Sequence, residues 1–177
     1  MHYYSELAKA VETLATKYDT IFLGQAIQYL GTGVTAQFEK VMPDKLVEMP
    51  VCEELQMGMS LGLALAGYVP ISVFPRYDFL LLAANQLVTH LDKWPLITDG
   101  KSTPKVIIKV GVGSATPINP GTQHLGNYSE AFRSMCKTID IIDLTRAEDI
   151  APAYDLAYSR GDGRSTILVE YADLYKN

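Results

Sequence analysis

The chain has 177 residues, 48% of them hydrophobic and 20% charged, which is enough apolar material for one full core and suits a single domain over 1–177. Fifteen basic residues against twenty acidic ones give a formal charge of -5 with no basic stripe, so a nucleic-acid partner is not expected. Two cysteines, Cys52 and Cys136, stand in unrelated contexts without CxxC spacing. Neither a disulfide framework nor a zinc site is expected, and a reducing, cytoplasmic location fits best.

Tyr4 to Lys17 places apolar residues at helical spacing among charges, which predicts an amphipathic helix and not the uncharged centre of a signal peptide. A strand "TIFLG" (20–24), a short helix about Ala36 to Val41 and a strand "KLVEM" (45–49) follow. A helix from Glu53 to Ala66 leads to the strand "VPISVF" (69–74). The uncharged run from Leu55 to Pro75 approaches the length of a membrane span, but "AGYVP" interrupts it, so helix, turn and strand are expected and no membrane segment. A helix over Asp78 to Lys93, the strand "KVIIKV" (105–110), a helix from Ser129 to Cys136, the strand "IDIIDL" (139–144), a helix from Ala147 to Ser159 and the strand "TILVEY" (166–171) complete the alternation. The longest irregular piece, residues 110–128, exceeds an ordinary connection.

Strands this apolar, alternating with helices, predict a three-layer α/β architecture: a doubly wound, mostly parallel sheet of about six strands with helices on both faces. Ligands of such sheets bind beyond the carboxyl ends of the strands. That rule points to Gln25, to Cys52–Glu54, to Pro75–Phe79 and to the long loop through His124.

Glu53 and Glu54 open a segment, "EELQMGMSLGLALAG", with no other charge. Carboxylates in a first helical turn face the positive end of the helix dipole, a gain of about 0.3 to 1 kcal/mol each, so capping alone would account for both. Gly58, Gly62 and Ala66, four apart, leave one helical face nearly bare, and each glycine costs about 1 kcal/mol in helix propensity relative to alanine. A close neighbour is therefore expected on that face. His124 is the one histidine of three set among glycines and prolines in a strand-following loop.

These residues resemble a family. Glu53 followed by Gly58, Gly62 and Gly67, preceded by "MPVC" and followed by "VPISVFPRYDFLLLAANQL", looks like the pyrimidine-binding domain of thiamine diphosphate enzymes of the transketolase-like group. The likeness is nearest to beta subunits of 2-oxo-acid dehydrogenase decarboxylating components, and it continues through "GTQHLGNYSEAF" and "TILVEYADLY" in the same order. It implies that Glu53 bonds a ring nitrogen of the aminopyrimidine and favours the imino tautomer that generates the reactive ylid, with Glu54 an ordinary cap or surface charge. It implies that Phe79, with Tyr77 as the alternative, stacks on the pyrimidine, and that His124 handles protons of the substrate-derived adduct or binds its carboxylate.

The pattern also departs. Gln25 stands where the family has a glutamate, Leu55 where it has a glycine and Lys109 where an arginine is common, and the loop before His124 is longer than usual. The only "GDG", Gly161–Gly163, lies too near the C-terminus to head the family's metal-binding motif and is read as a turn, and "GTGVT" and "GVGSAT" lack phosphate-loop spacing. The third domain of the beta subunits has no counterpart after the last strand. The resemblance thus implies half an active site, inactive alone. The chain would pair with a diphosphate-binding subunit carrying Gly-Asp-Gly and Mg2+, in a two-plus-two heterotetramer, and share thiamine diphosphate for 2-oxo-acid decarboxylation or ketol transfer. A non-catalytic regulatory or scaffold subunit, or a small-ligand α/β protein using its glycine loops, is the alternative.

Overall fold

The computed structural model describes residues 2–116 and 119–176. In chain order they form α1 (Tyr3–Ala15), β1 (Thr20–Gly24), β2 (Leu46–Glu48), α2 (Glu53–Leu65), β3 (Val69–Phe74), α3 (Tyr77–Leu80), α4 (Trp94–Ile97), β4 (Ile107–Val112), α5 (Ser129–Met135), β5 (Asp140–Leu144), α6 (Ala147–Ser159) and β6 (Thr166–Tyr171). The six strands make one sheet in the order β2-β1-β3-β4-β6-β5, and every neighbouring pair is parallel. Among the described residues no helix is long and apolar enough to cross a membrane.

Strand alternation divides the core into two layers. On one face Phe22, Ile71, Val73, Ile107 and Leu168 pack under α1 and α6, whose Leu7, Val11, Ile150 and Tyr154 recur at helical spacing. On the other face Phe74, Ile108, Val110, Ile167 and Val169 meet Met57 and Leu61 of α2, Leu80 and Leu87, and Phe132 of α5. The three-layer α/β expectation holds, with the sheet wholly parallel.

The chain leaves β1 toward β2 and returns to place β3 on the other side of β1. The sheet order therefore reverses between β1 and β3, which opens a crevice at their carboxyl ends. The segments after β1, β3, β4 and β6 converge there.

Two predicted helices take other forms. Residues Thr35–Phe38 make a single 3-10 turn where a helix about Ala36 to Val41 is expected, closed by Thr32 and Thr35 exchanging backbone-to-hydroxyl bonds of 3.0 and 3.1 Å. The helix expected over Asp78 to Lys93 is wound in three ways: α3, a 3-10 turn over Leu81–Ala83 and a π-helical stretch over Asn85–Leu91. Leu80, Ala83, Leu87 and Leu91 stay buried throughout, so the apolar periodicity is right although the winding is not helical in one uniform way. The final wide turn, Asp92 N–H to Leu87 O at 2.9 Å, delivers the buried Asp92 carboxylate to the amides of Lys137, Thr138 and Ile139 at 2.9, 2.7 and 3.1 Å. That contact ties the helix end to the entry of β5.

Candidate active-site cleft

A cleft of about 560 Å3 lies at the carboxyl ends of the central strands, between the segments after β1 (Gln25, Gly31–Val34), β3 (Pro75, Arg76, Phe79), β4 (Gly113, Ser114, Thr116) and β6 (Ala172, Tyr175, Lys176). Its size suits a small organic ligand. Close backbone approach shapes its floor: a Cβ on Gly111 of β4 would fall 2.9 Å from both Pro75 O and Val34 Cγ2. Only glycine lets those two loops close over the strand.

Glu53 begins α2 and is only 5% exposed. Gln25, which lines the cleft, donates from Nε2 to Glu53 Oε1 at 3.0 Å. A buried carboxyl group at a helix N-terminus, joined to the cleft through one amide, can accept a further donor or share a proton with a ligand. Glu54 is exposed instead, and accepts from Asn85 Nδ2 at 3.1 Å and, more loosely, from Gln86 Nε2 at 3.4 Å. The structure thus separates the two carboxylates by environment.

Phe79 lines the cleft, half-buried, and the ring of His124 meets it edge to face with centroids 5.4 Å apart. His124 Nδ1 is buried without a protein partner among the described residues, which leaves a polar atom to satisfy beside the aromatic wall. Tyr77 faces the core: it is fully buried, stacked on Phe132 at 5.7 Å with ring planes 2° apart, and burial pushes its hydroxyl far above the usual range. Two residues on in the same turn, Phe79 presents the ring that a ligand can reach.

Sequence patterning alone does not single out three further groups. Arg76 Nη1 donates to Gly113 O and His124 O, both at 2.9 Å, and so clamps the long loop to the exit of β4. Beneath the cleft, Lys109 and Glu170 form a wholly buried ion pair at 2.5 Å. Glu170 also accepts from Gln37 Nε2 at 3.1 Å and from Tyr175 OH at 2.7 Å. Burial pulls the Lys109 ammonium below its ordinary value, and the carboxylate beside it opposes that shift. Gln56, fully buried on α2, binds Ser72 Oγ and Val73 O, each at 3.0 Å, and locks α2 to β3. A charged residue inside an otherwise apolar strand, such as Lys109 in "KVIIKV" and Glu170 in "TILVEY", is the sequence signal that would have found the ion pair.

The GDG segment is the turn expected of it. Arg160 forks onto Asp162 at 2.6 and 2.8 Å, and a Cβ on Gly163, whose φ is +69°, would fall 2.1 Å from Thr103 Oγ1. On α2, among the described residues and apart from the helix's own backbone, nothing lies within 4 Å of a Cβ built at Gly62, and at Gly58 only Gln86 makes ordinary contact at 3.8 Å. The close neighbour expected on that face does not come from the described residues. Among those residues no three His, Cys, Asp or Glu side chains gather where they could hold a metal ion.

The all-parallel sheet of order 2-1-3-4-6-5, with a buried glutamate beside the cleft at its switch point, is the arrangement expected from the resemblance to transketolase-like pyrimidine-binding domains. The comparisons agree. A solved structure described as a split gene transketolase, inactive beta4 tetramer, superposes over 96% of this chain and 50% of its own with a TM-score of 0.68 at 15% identity, which is likeness of fold. In sequence the chain is 24% identical over 130 residues to the pyruvate dehydrogenase E1 component subunit beta of Rickettsia felis, covering 71% of this chain and 39% of the relative. It is 30% identical over 84 residues to the 3-methyl-2-oxobutanoate dehydrogenase subunit beta of Mycobacterium tuberculosis strain H37Rv, covering 45% of this chain and 24% of the relative. No protein-family model matches the chain. It spans less than half the length of these curated relatives. The chain thus has a transketolase-like fold and is similar in sequence to beta subunits of 2-oxo-acid dehydrogenases.

Proposed function

We propose that the chain is the pyrimidine-binding subunit of a two-chain thiamine diphosphate-dependent enzyme that decarboxylates a 2-oxo acid or transfers a ketol unit. The observation that carries this reading is the buried Glu53 carboxyl at the switch point, partnered by Gln25 and adjoining a cleft with an accessible aromatic wall. The residues fit the aminopyrimidine half of the cofactor. Glu53 offers an acceptor or shared proton to a ring nitrogen, Gln25 orients that carboxyl, and Phe79 gives a face for stacking worth about 1 kcal/mol beyond burial. His124, against Phe79, can give, take or hold a proton of the substrate. When bound, the cofactor supplies carbanion stabilisation that no protein side chain provides.

The diphosphate and Mg2+ would sit on a second subunit carrying the Gly-Asp-Gly motif, in a two-plus-two assembly, and this chain by itself would have no activity. The bare Gly58 and Gly62 face of α2, flanked by the exposed Leu55 and Met59, is open for subunit contact. The test is co-expression with the neighbouring reading frame, followed by cofactor-binding calorimetry and a 2-oxo-acid decarboxylation assay on the purified pair. Cofactor-dependent turnover that is lost in Glu53→Gln is the expected result. Full activity of Glu53→Gln would sink the catalytic role of Glu53, and absence of cofactor binding to the pair would sink the whole reading.

A further inference from the structure

We propose that Arg76 makes the cleft a receptor for an anionic group, a carboxylate or a phosphate, on the small molecule that enters it. The charged side chains lining the walls are Arg76 and Lys176, both positive, and among the described residues no carboxylate lines the cleft. Four carboxylates engage lining residues without lining the cleft themselves: Glu48 accepts from Ala26 N–H at 2.6 Å, Glu53 from Gln25, Glu170 from Tyr175 OH at 2.7 Å, and Asp173 stands against Gly113, where its Oδ2 would meet an added Cβ at 3.1 Å. Arg76 spends Nη1 on the carbonyls of Gly113 and His124. Its Nε and Nη2 donors have no partner among the described residues, although the side chain is half-buried in the wall. Two loop carbonyls hold the guanidinium in place, and the edge left over is the planar donor pair that matches a carboxylate or phosphate. Because the clamp also fixes His124 and Gly113, an anion at Arg76 would lie beside the Phe79 and His124 rings.

The anion binding stands on the cleft alone; identifying the anion with the substrate of the enzyme rests on the function proposed above. The test is a titration of the isotopically labelled full chain, followed by NMR at constant ionic strength, with inorganic phosphate, with pyruvate and with uncharged acetone. Both anions, or one of them, should shift the Arg76 Nε–H resonance and the Gly113 and Ser114 amides, and acetone should not. The tighter of the two names the source as a phosphorylated compound or a 2-oxo acid. Arg76→Gln should weaken anion binding about 10- to 100-fold, the span of a charge-assisted bond, and Lys176→Met should leave it within about twofold. If Arg76→Gln fails to fold in a melting control, the Arg76 Nε–H response of the unaltered chain decides. No anion-specific response at that resonance, undiminished binding by folded Arg76→Gln, or loss of binding in Lys176→Met would each overturn the proposal. None of these outcomes bears on cofactor dependence of the subunit pair.

Discussion

Gln25 Nε2 and Glu53 Oε1 meet at 3.0 Å, so a side chain from the end of β1 holds the carboxyl that opens α2. Gln25→Ala would leave that buried carboxyl without its donor, at a cost of about 1 to 3 kcal/mol. For a chain of this length the melting temperature should drop by about 2 to 12 °C, read by circular dichroism. In the assembled pair the same variant should weaken cofactor binding, because the acceptor it misplaces is the one assigned to the pyrimidine.

Lys109 and Glu170 are worth more as a pair than singly. Lys109→Met removes the cation paired with a wholly buried carboxylate, and breaking such a pair costs about 3 to 5 kcal/mol. The double variant Lys109→Met with Glu170→Gln should recover much of the loss, since Gln37 and Tyr175 can still bond the amide that replaces Glu170. Urea unfolding of the four proteins in the cycle measures the coupling, and additive losses would show that the pair does not act as a unit.

The two thiols should differ sharply in reactivity. Cys136 is buried, and burial together with the nearby Asp92 carboxylate pushes its thiol up to about 12, so almost none is thiolate at neutral pH. Cys52 is exposed. An aromatic disulfide reagent should titrate one thiol in the native chain and two after denaturation; two fast equivalents in the native chain would contradict the packing around Phe132 and Cys136.

Asp143 should make the chain acid-sensitive. Burial disfavours its charge, but bonds from Tyr171 OH at 2.6 Å, Ser129 Oγ at 3.0 Å and the Arg133 guanidinium outweigh it and hold the carboxyl below the ordinary value of 3.8. The folded value is the lower one, so the stabilisation is fully present above 3.8 and is lost as pH falls through the folded value. Melting temperatures of the unaltered chain should therefore fall more steeply with acid than those of Asp143→Asn, which lacks the titrating group. Parallel curves would exclude the linkage.

The fold is largely legible in the sequence because buried parallel strands leave unmistakable apolar runs. β1, β3 and β6 have the bounds that "TIFLG", "VPISVF" and "TILVEY" indicate. β4 begins two residues later than "KVIIKV" suggests, at Ile107, where its ladders to β3 and β6 begin; strand ends depend on partners that local patterning does not contain. The winding of Asn85–Leu91 is hidden for the same reason, since it depends on where Asp92 must reach across to Lys137–Ile139. Gln25, Glu53, Phe79 and His124 are visible as polar or aromatic residues in strand-following positions. Arg76 falls within the stretch Pro75–Phe79 that the strand-end rule indicates, but its role is hidden, because its clamp joins residues 37 and 48 positions away, Gly113 and His124.

The cleft draws its walls from segments near residues 25–34, 75–79, 113–116 and 172–176, each hung on a different strand. Parallel pairings of such long sequence separation form late, after the entropy of closing long loops has been overcome. A molecule in which β6 has yet to slide between β4 and β5 has strands, helices and a Glu53 but lacks the wall carrying Tyr175. The cleft is therefore complete only in a chain whose sheet is complete.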